Sequence, residues 1–260
     1  MPNEVNTVLQ LFFRWAHIVA GIAWIGHLYF FNFVNGPFQG KIDGPTKKAA
    51  NPELLPRALF WFRWGAAWTW ITGFLLAGLI YYQTKSVLFE SGEGNPWLWL
   101  FFVLVAWAVG FVVYNAIMKA LANKVVAAAI CLVLYAGVWA LFECVGHFSG
   151  RSLYIHGGCT FGTMMAMNVW MIIWPYQKKI ISALKEGSPL PADSPEVKIA
   201  GLRSRHNTYM SVPLIFFMIS NHYPQVFGSM YRDAYAALVI IIGFVAVRMM
   251  YGKAGKVPGF

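Results

Sequence analysis

Residues 97–118 read WLWLFFVLVAWAVGFVVYNAIM and contain no charged side chain. About 20 apolar residues in a helix are enough to cross the hydrocarbon core of a bilayer, so this stretch predicts a transmembrane helix. Apolar blocks of similar length lie on both sides of it in the sequence. We therefore expect an all-α integral membrane bundle of about seven spans, at residues 8–34, 58–82, 97–118, 123–146, 155–176, 206–223 and 234–251.

The composition agrees with a chain embedded in lipid. Hydrophobic residues make up 58% of the sequence and charged residues 12%, whereas a soluble domain carries about a quarter charged residues. A water-soluble globule and an intrinsically disordered chain are therefore both excluded. The net charge of +10 does not indicate a nucleic-acid partner, because the basic residues lie between the apolar blocks and form no single stripe. We expect one transmembrane domain over residues 1–260, in contact with membrane lipid.

The charges of the connecting segments predict the direction of the spans. Lys and Arg are concentrated in residues 35–57, 119–124 and 177–205 and in the tail after residue 247. The alternate connections are poorer in basic residues, so the positive-inside rule places the N-terminus outside and the C-terminus inside. Glu4 precedes the first apolar block, which is also too long for a signal peptide and ends without a small-residue cleavage site. We therefore expect that block to remain as a span.

Six histidines lie in the predicted spans or at their ends. Ionisable side chains at membrane depth are costly and suggest function, although a lone histidine is about as often only hydrogen-bonded to a neighbouring helix. Six of them, with few carboxylates to form a proton relay, favour ligation of a cofactor. The predicted topology places four in the outer half of the membrane and two, His27 and His206, in the inner half. The outer four are His17, His147, His156 and His222.

These histidines suit b-type haem, which is held by imidazoles from facing helices and needs no covalent attachment. The attachment motif of c-type haem, Cys-x-x-Cys-His, is absent from the sequence. One or two haems are compatible with the pattern, with His27 and His206 as an inner pair and His17 with His156 or His222 as an outer pair. Copper is the less favoured alternative, because methionines at helical spacing are more often packing residues than ligands. Those methionines are Met164, Met165, Met167, Met210 and Met218.

Three further polar residues are candidate catalytic groups. Glu143 lies one helical turn before His147, so it could carry protons or orient that imidazole; alternatively it forms an ion pair with an arginine such as Arg14 or Arg63. Arg63 could bind a haem propionate or an anionic substrate, or extend its charged end to the membrane surface. Asn168 could contact substrate, or hydrogen-bond to a neighbouring helix.

Several segments resemble a known family. RWAHIVAGIAWIG at residues 14–26 and RALFWFRWGAAWTW at residues 57–70 resemble the first two helices of the bacterial membrane-bound urate hydroxylases, the urate oxidase N-terminal domain family. YIHGG at residues 154–158 resembles part of the fifth helix. RSRHNTYM at residues 203–210 and MISNHYP at residues 218–224 resemble the sixth. The matching motifs contain four histidines, which the resemblance marks as functional: His17, His156, His206 and His222.

The resemblance implies a protein of the bacterial inner membrane that acts in purine degradation. Such an enzyme oxidises urate to 5-hydroxyisourate and passes the electrons to cytochrome c. Typical members carry a C-terminal cytochrome c domain, which this sequence lacks, so we expect a separate cytochrome c or another redox subunit to accept the electrons. The first helix also resembles that of haem-binding membrane proteins of the protoporphyrinogen oxidase type. Two alternatives remain open: a non-catalytic haem b subunit of a larger respiratory complex, and a haem-free transporter.

Overall fold

The computed structural model describes residues 3–256 and is helical throughout. Apart from one isolated antiparallel bridge between Phe89 and Phe148, these residues contain no β-structure. The helices are α1 (Asn3–Tyr29), α2 (Gly36–Gln39), α3 (Gly44–Ala77), α4 (Lys85–Leu88), α5 (Pro96–Ala120), α6 (Lys124–Ala140), α7 (Gly150–Met167), α8 (Trp174–Lys185), α9 (Pro195–Ile219), α10 (Pro224–Phe227) and α11 (Arg232–Ala254).

Five helical segments among the described residues are long and apolar enough to cross a membrane. Their outward faces carry large apolar side chains, such as Ile22 at 69% exposure and Val112 at 67%, which is what a lipid solvent favours. The chain is therefore an all-α membrane protein. The five segments are Glu4–Gln39, Gly44–Tyr82, Pro96–Ala120, Lys124–Val145 and Arg232–Ala254.

The other two predicted spans form long helices that are less apolar. Residues 155–176 fall in the continuous helical run from Gly150 to Lys185, and residues 206–223 fall in α9 and the 3₁₀ turn that follows it. Their lower hydropathy has a physical cause: these helices face protein and carry buried polar side chains. In the first helix these are Ser152, His156, Thr160, Thr163 and Asn168, and in the second Arg203, Asn207, Thr208, Ser211 and Ser220.

The turn between α5 and α6 is fixed by its own sequence. Asn123 caps α6, because its side-chain oxygen accepts hydrogen bonds from the backbone N–H groups of Val125 and Val126. The ammonium group of Lys124 donates to the carbonyl oxygens of Met118 and Leu121 at the end of α5. Asparagine is a preferred N-cap and lysine satisfies terminal carbonyls. These contacts close the helical hairpin in very few residues.

Four long helices widen into π-helical turns: Phe30–Asn35 after α1, Gly78–Tyr82 after α3, Leu141–Val145 after α6 and Asn168–Ile173 after α7. A π turn inserts one extra residue into the helix and is often found at functional sites. These turns change which side chains face the protein interior, so they determine where the polar groups described below are placed.

The chain divides into two compact units. Unit 1 comprises the residues up to Phe74, Met165–Pro213 and the residues from Leu238 onward. Unit 2 comprises Leu75–Met164 and Leu214–Ala237, and its core is rich in aromatic rings. The buried aromatic residues of that core are Tyr81, Tyr82, Phe89, Trp107, Phe142 and Phe148.

Candidate functional site

His156 of α7 is buried in the aromatic core of unit 2. Its Nε2 accepts a hydrogen bond from the hydroxyl of Tyr82 at 2.7 Å, and its Nδ1 lies 2.7 Å from the carbonyl oxygen of Ser152. The rings of Phe142 and Phe148 pack edge-on against the imidazole. Both ring nitrogens therefore have partners, and the side chain is held in one orientation.

Two histidines of α1 have the same arrangement in unit 1. The Nδ1 of His17 lies 2.8 Å from the carbonyl oxygen of Thr69 in α3. The Nδ1 of His27 lies 2.7 Å from the carbonyl oxygen of Ala23, one turn earlier in its own helix. Gly73 allows the first of these contacts, because a β-carbon at that position would lie only 2.7 Å from Cε1 of His17.

One tautomer follows for all three imidazoles. A carbonyl oxygen only accepts hydrogen bonds, so Nδ1 carries the proton of each neutral ring and Nε2 presents the lone pair. Histidines that bind metals are oriented in this way, with the second ring nitrogen donating to a carbonyl or carboxylate. The geometry of His17, His27 and His156 is therefore compatible with ligation through Nε2.

The other three histidines differ in their surroundings. His206 is partly buried in α9 of unit 1, whereas His147 and His222 are exposed in unit 2. His147 has a positive φ of 49°, and its carbonyl oxygen accepts the backbone N–H of Glu90. Within residues 3–256, no three or more His, Cys, Asp or Glu side chains converge closely enough to hold a metal ion.

Each π turn places a polar side chain in a tertiary contact. In unit 2, Glu143 pairs with Arg232 at 2.6 Å. The ion-pair alternative for Glu143 is thus confirmed, but the expected partners Arg14 and Arg63 are wrong, because the fold of unit 2 brings the start of α11 to the end of α6. In unit 1, Asn168 donates to the side-chain oxygen of Asn207 at 2.9 Å, which is a hydrogen bond between helices.

Arg63 lies against an aromatic ring in unit 1. Its guanidinium carbon is 3.8 Å from the ring centroid of Trp174, a distance typical of a cation–π contact. Its carbonyl oxygen accepts a hydrogen bond from the indole N–H of Trp170. The Nε of Arg63 is buried and has no hydrogen-bond partner among the described residues. An unpaired guanidinium N–H beside an aromatic plane remains able to bind an anionic group.

Gly157 and Gly158 of α7 lie against bulky side chains. A β-carbon on Gly157 would lie 2.6 Å from the ring of Trp139, and one on Gly158 would lie 2.8 Å from Cβ of Phe217. All four residues belong to unit 2. Here the glycines permit close approach between helices, which is the ordinary use of small residues in membrane proteins.

The larger of two notable cavities lies within unit 1 and has a volume of about 640 Å³. Its wall is formed by the π turn after α1 together with parts of α3, α8, α9 and α11. We call it the basic cavity, because Lys198 and Arg205 line it and, among the described residues, no carboxylate does. A second cavity of about 480 Å³ in unit 2 is lined by Tyr82, Gln83, Lys85, Gly94, Asn95, Pro96 and Trp97.

The sequence did not single out several of these residues. Tyr82 was unremarkable at the end of an apolar block, although it is the hydrogen-bond partner of His156. Asn32 hydrogen-bonds to both Ser204 and Tyr251, and the sequence alone does not indicate these contacts. For both residues, the sequence shows only a polar side chain near the end of a long apolar helix. The hydrogen-bond partner of that side chain is identified only by the fold.

The fold and these sites define a class: a helical membrane protein with carbonyl-oriented histidines and polar contacts between its helices. The family model described as urate oxidase N-terminal matches residues 39–257. The chain therefore belongs to the urate oxidase N-terminal family. The match includes the motifs at 57–70, 154–158 and 203–224, and it begins after the helix that carries His17 and His27. No curated protein and no solved structure matches the chain.

Proposed function

We propose that this chain is a urate-oxidising haem b protein of the bacterial inner membrane that delivers electrons to cytochrome c or another redox subunit. In this proposal the chain crosses the membrane seven times, with its N-terminus outside. Membership of the urate oxidase N-terminal family supports the substrate. The observation that carries the cofactor is the shared orientation of three imidazoles, each with Nδ1 against a backbone carbonyl.

The chain offers several residues that would hold haem b. His17 and His27 present Nε2, but they lie ten residues apart on one helix, about 15 Å, so they cannot share one iron. His27 with His206, both in unit 1, remains the proposed inner pair. For His156 to serve as a ligand, the hydroxyl of Tyr82 has to release Nε2. When bound, haem b would supply one-electron oxidation and reduction.

The reaction also sets requirements for the protein's own groups. Conversion of urate and water to 5-hydroxyisourate releases two protons and two electrons, so the site has to accept protons. Imidazoles that do not ligate the haem iron are suited to that task. Glu143 is engaged by Arg232, and in this proposal the ion pair stabilises unit 2. Arg63, with its unpaired buried Nε, is the better candidate for binding an anionic group.

A reduced-minus-oxidised spectrum and a urate assay on the purified protein test the proposal together. We expect an α-band typical of haem b and loss of urate when soluble cytochrome c is added. A haem band without urate turnover would favour the electron-transfer subunit, and absence of a haem band would favour the transporter. Copper content measured on the same sample distinguishes copper from haem iron as the bound metal.

The ligand assignment is tested by His17→Ala and His222→Ala. We expect each variant to lose haem. Full haem retention in both variants would show that the ligands lie elsewhere, even if the wild-type protein oxidises urate.

A further inference from the structure

We propose that the basic cavity of unit 1 is the substrate site and that it binds a planar oxo-purine monoanion such as urate. The proposal rests on the function proposed above and adds the location and the residues. Its volume of about 640 Å³ lies within the range typical of small-molecule sites, about 300–1,000 Å³. It is enclosed in part by buried apolar residues, among them Leu59, Phe62 and Ile173.

The charge of the cavity favours an anion. Lys198 and Arg205, both on α9, line it, and no lining residue within 3–256 is Asp or Glu. The guanidinium carbon of Arg205 lies 5.0 Å from the ring centroid of Tyr251, which also lines the cavity. This contact limits the freedom of the arginine, so less conformational entropy is lost when its planar fork binds a ligand.

The polar side chains that line the cavity are already hydrogen-bonded to one another without a ligand. The side-chain amide of Asn32 donates to Ser204 and to the carbonyl oxygen of Leu28, each at 2.8 Å. The hydroxyl of Tyr251 donates to the side-chain oxygen of Asn32 at 2.8 Å. Asn32, Ser204 and Tyr251 all line the cavity. A prearranged network of this kind positions a ligand at little further cost.

The neutral groups favour a lactam-bearing heterocycle over a phosphate. Asn35 and Gln177 line the cavity with amides, which both donate and accept hydrogen bonds. The edges of an oxo-purine alternate N–H and C=O groups and can satisfy both, whereas a phosphate monoester dianion only accepts and inorganic HPO4²⁻ has a single donor. The rings of Phe31 and Phe62, 5.5 Å apart in an edge-to-face pair, add apolar surface for a flat ligand.

Two candidate redox histidines adjoin the cavity along the chain. His27 precedes Phe31 by one helical turn, and His206 follows Arg205 directly. All four residues belong to unit 1. One turn of helix advances about 5.4 Å, so a ligand in the cavity lies near the helix segments from which the proposed inner ligands project.

Equilibrium dialysis with labelled urate tests the site on the purified full chain in phosphatidylcholine nanodiscs. We expect Arg205→Gln to weaken binding roughly ten- to a hundredfold, the usual effect of losing a charge-assisted hydrogen bond. Lys198→Gln should weaken it less, because a lysine provides a single point charge. The matched control is Lys85→Gln, which removes the same charge from the second cavity and should leave urate affinity unchanged.

The outcomes separate this inference from the proposed function. Unchanged affinity in both Arg205→Gln and Lys198→Gln, with wild-type urate turnover, would overturn the site and leave the function standing. Urate binding that depends on Arg205 without any turnover would uphold the site and reject the proposed reaction. Loss of urate binding in Lys85→Gln would show that urate binds in the second cavity instead. Absence of urate binding by the wild-type protein would reject the site.

Three further measurements test whether the cavity binds a different ligand and whether the variant is misfolded. Displacement of urate by an equal concentration of inorganic phosphate, or loss of urate binding in phosphatidylglycerol nanodiscs, would show that the cavity takes phosphate groups and would overturn the purine assignment.

Haem per chain in Arg205→Gln should match the wild type. A selective loss of haem would instead identify the cavity as a cofactor site. Arg205→Lys should recover part of the lost affinity, which a misfolded Arg205→Gln chain would not explain.

Discussion

At the scale of single residues, the main finding is that three histidines are held in one tautomer. His17, His27 and His156 each place Nδ1 within 2.8 Å of a backbone carbonyl oxygen. Buried polar groups are generally hydrogen-bonded, so each of these contacts satisfies the ring N–H and fixes the tautomer. At His17 the contact also requires a small neighbour, because Gly73 leaves room for the ring.

Gly73→Ala is expected to disturb the His17 site without changing a polar group. The new methyl group would lie 2.7 Å from Cε1 and 3.0 Å from Nδ1 of His17, so the ring has to move away from Thr69. Loss of an orienting contact commonly reduces metal affinity about 10- to 100-fold. We expect a comparable loss of haem affinity, measured by haem titration of the apoprotein.

Gly110→Ala is the control for that experiment. It adds the same methyl group inside α5, where nothing lies within 4 Å of the new atom. Haem affinity should be unchanged in this variant. Equal affinity in Gly73→Ala and the wild type would show that the orientation of His17 is irrelevant to haem.

At the scale of helices, the π turns determine which polar side chains meet. Asn32, Tyr82, Glu143 and Asn168 each lie on one of these turns, and each bonds to another helix or helix end of its own unit. Two of the turns, Phe30–Asn35 and Asn168–Ile173, continue directly into further helix, and there the extra residue rotates the following side chains by about 100° relative to an ideal α-helix. Periodicity calculated from an ideal α-helix misses this change.

Close approach between α6 and α7 in unit 2 depends on Gly157. A β-carbon there would lie 2.6 Å from the ring of Trp139 and 2.9 Å from the hydroxyl of Tyr135. Overpacking of this kind costs about 1–3 kcal/mol. We expect Gly157→Ala to lower the midpoint of thermal unfolding, followed by tryptophan fluorescence in detergent.

Gly137→Ala in α6 serves as the matched variant, because no atom lies within 4 Å of its new methyl group. Alanine is the better helix former, so this variant should unfold at the wild-type temperature or slightly above it. A Gly157→Ala protein as stable as the wild type would mean that the two helices are not in close contact.

At the scale of the whole molecule, composition and sequence pattern give two counts of membrane crossings, five and seven. Five segments are long and apolar enough by composition, whereas the apolar blocks of the sequence predict seven crossings and the loop charges predict their direction. The two additional helices carry the buried polar residues, and polar side chains that face protein are tolerated in lipid. In the proposed seven-crossing arrangement, hydropathy alone would underestimate the number of crossings.

Single cysteines at Ser91 and Ser188, introduced after replacement of the three native cysteines, distinguish the two topologies. Both serines are exposed. With seven crossings and an external N-terminus, a membrane-impermeant maleimide should label residue 91 from outside and residue 188 only from inside. External labelling at both positions would indicate five crossings. Internal labelling at residue 91 would reverse the orientation.

The sequence by itself determined the class of protein. Uninterrupted apolar blocks predicted helices whose positions the structure reproduces, because burial in lipid is a local property of each segment and requires no knowledge of its neighbours. The motifs around His156 and His206 also indicated the family, which the match over residues 39–257 confirms.

Only the tertiary structure decided which side chains contact one another. Glu143 pairs with Arg232, Tyr82 bonds to His156, and α9 supplies the cations of the basic cavity. These contacts join residues far apart in sequence, and two of them involve residues on π turns, Tyr82 and Glu143. A hydrogen bond requires placement to within a few tenths of an ångström, and helical periodicity alone cannot specify it.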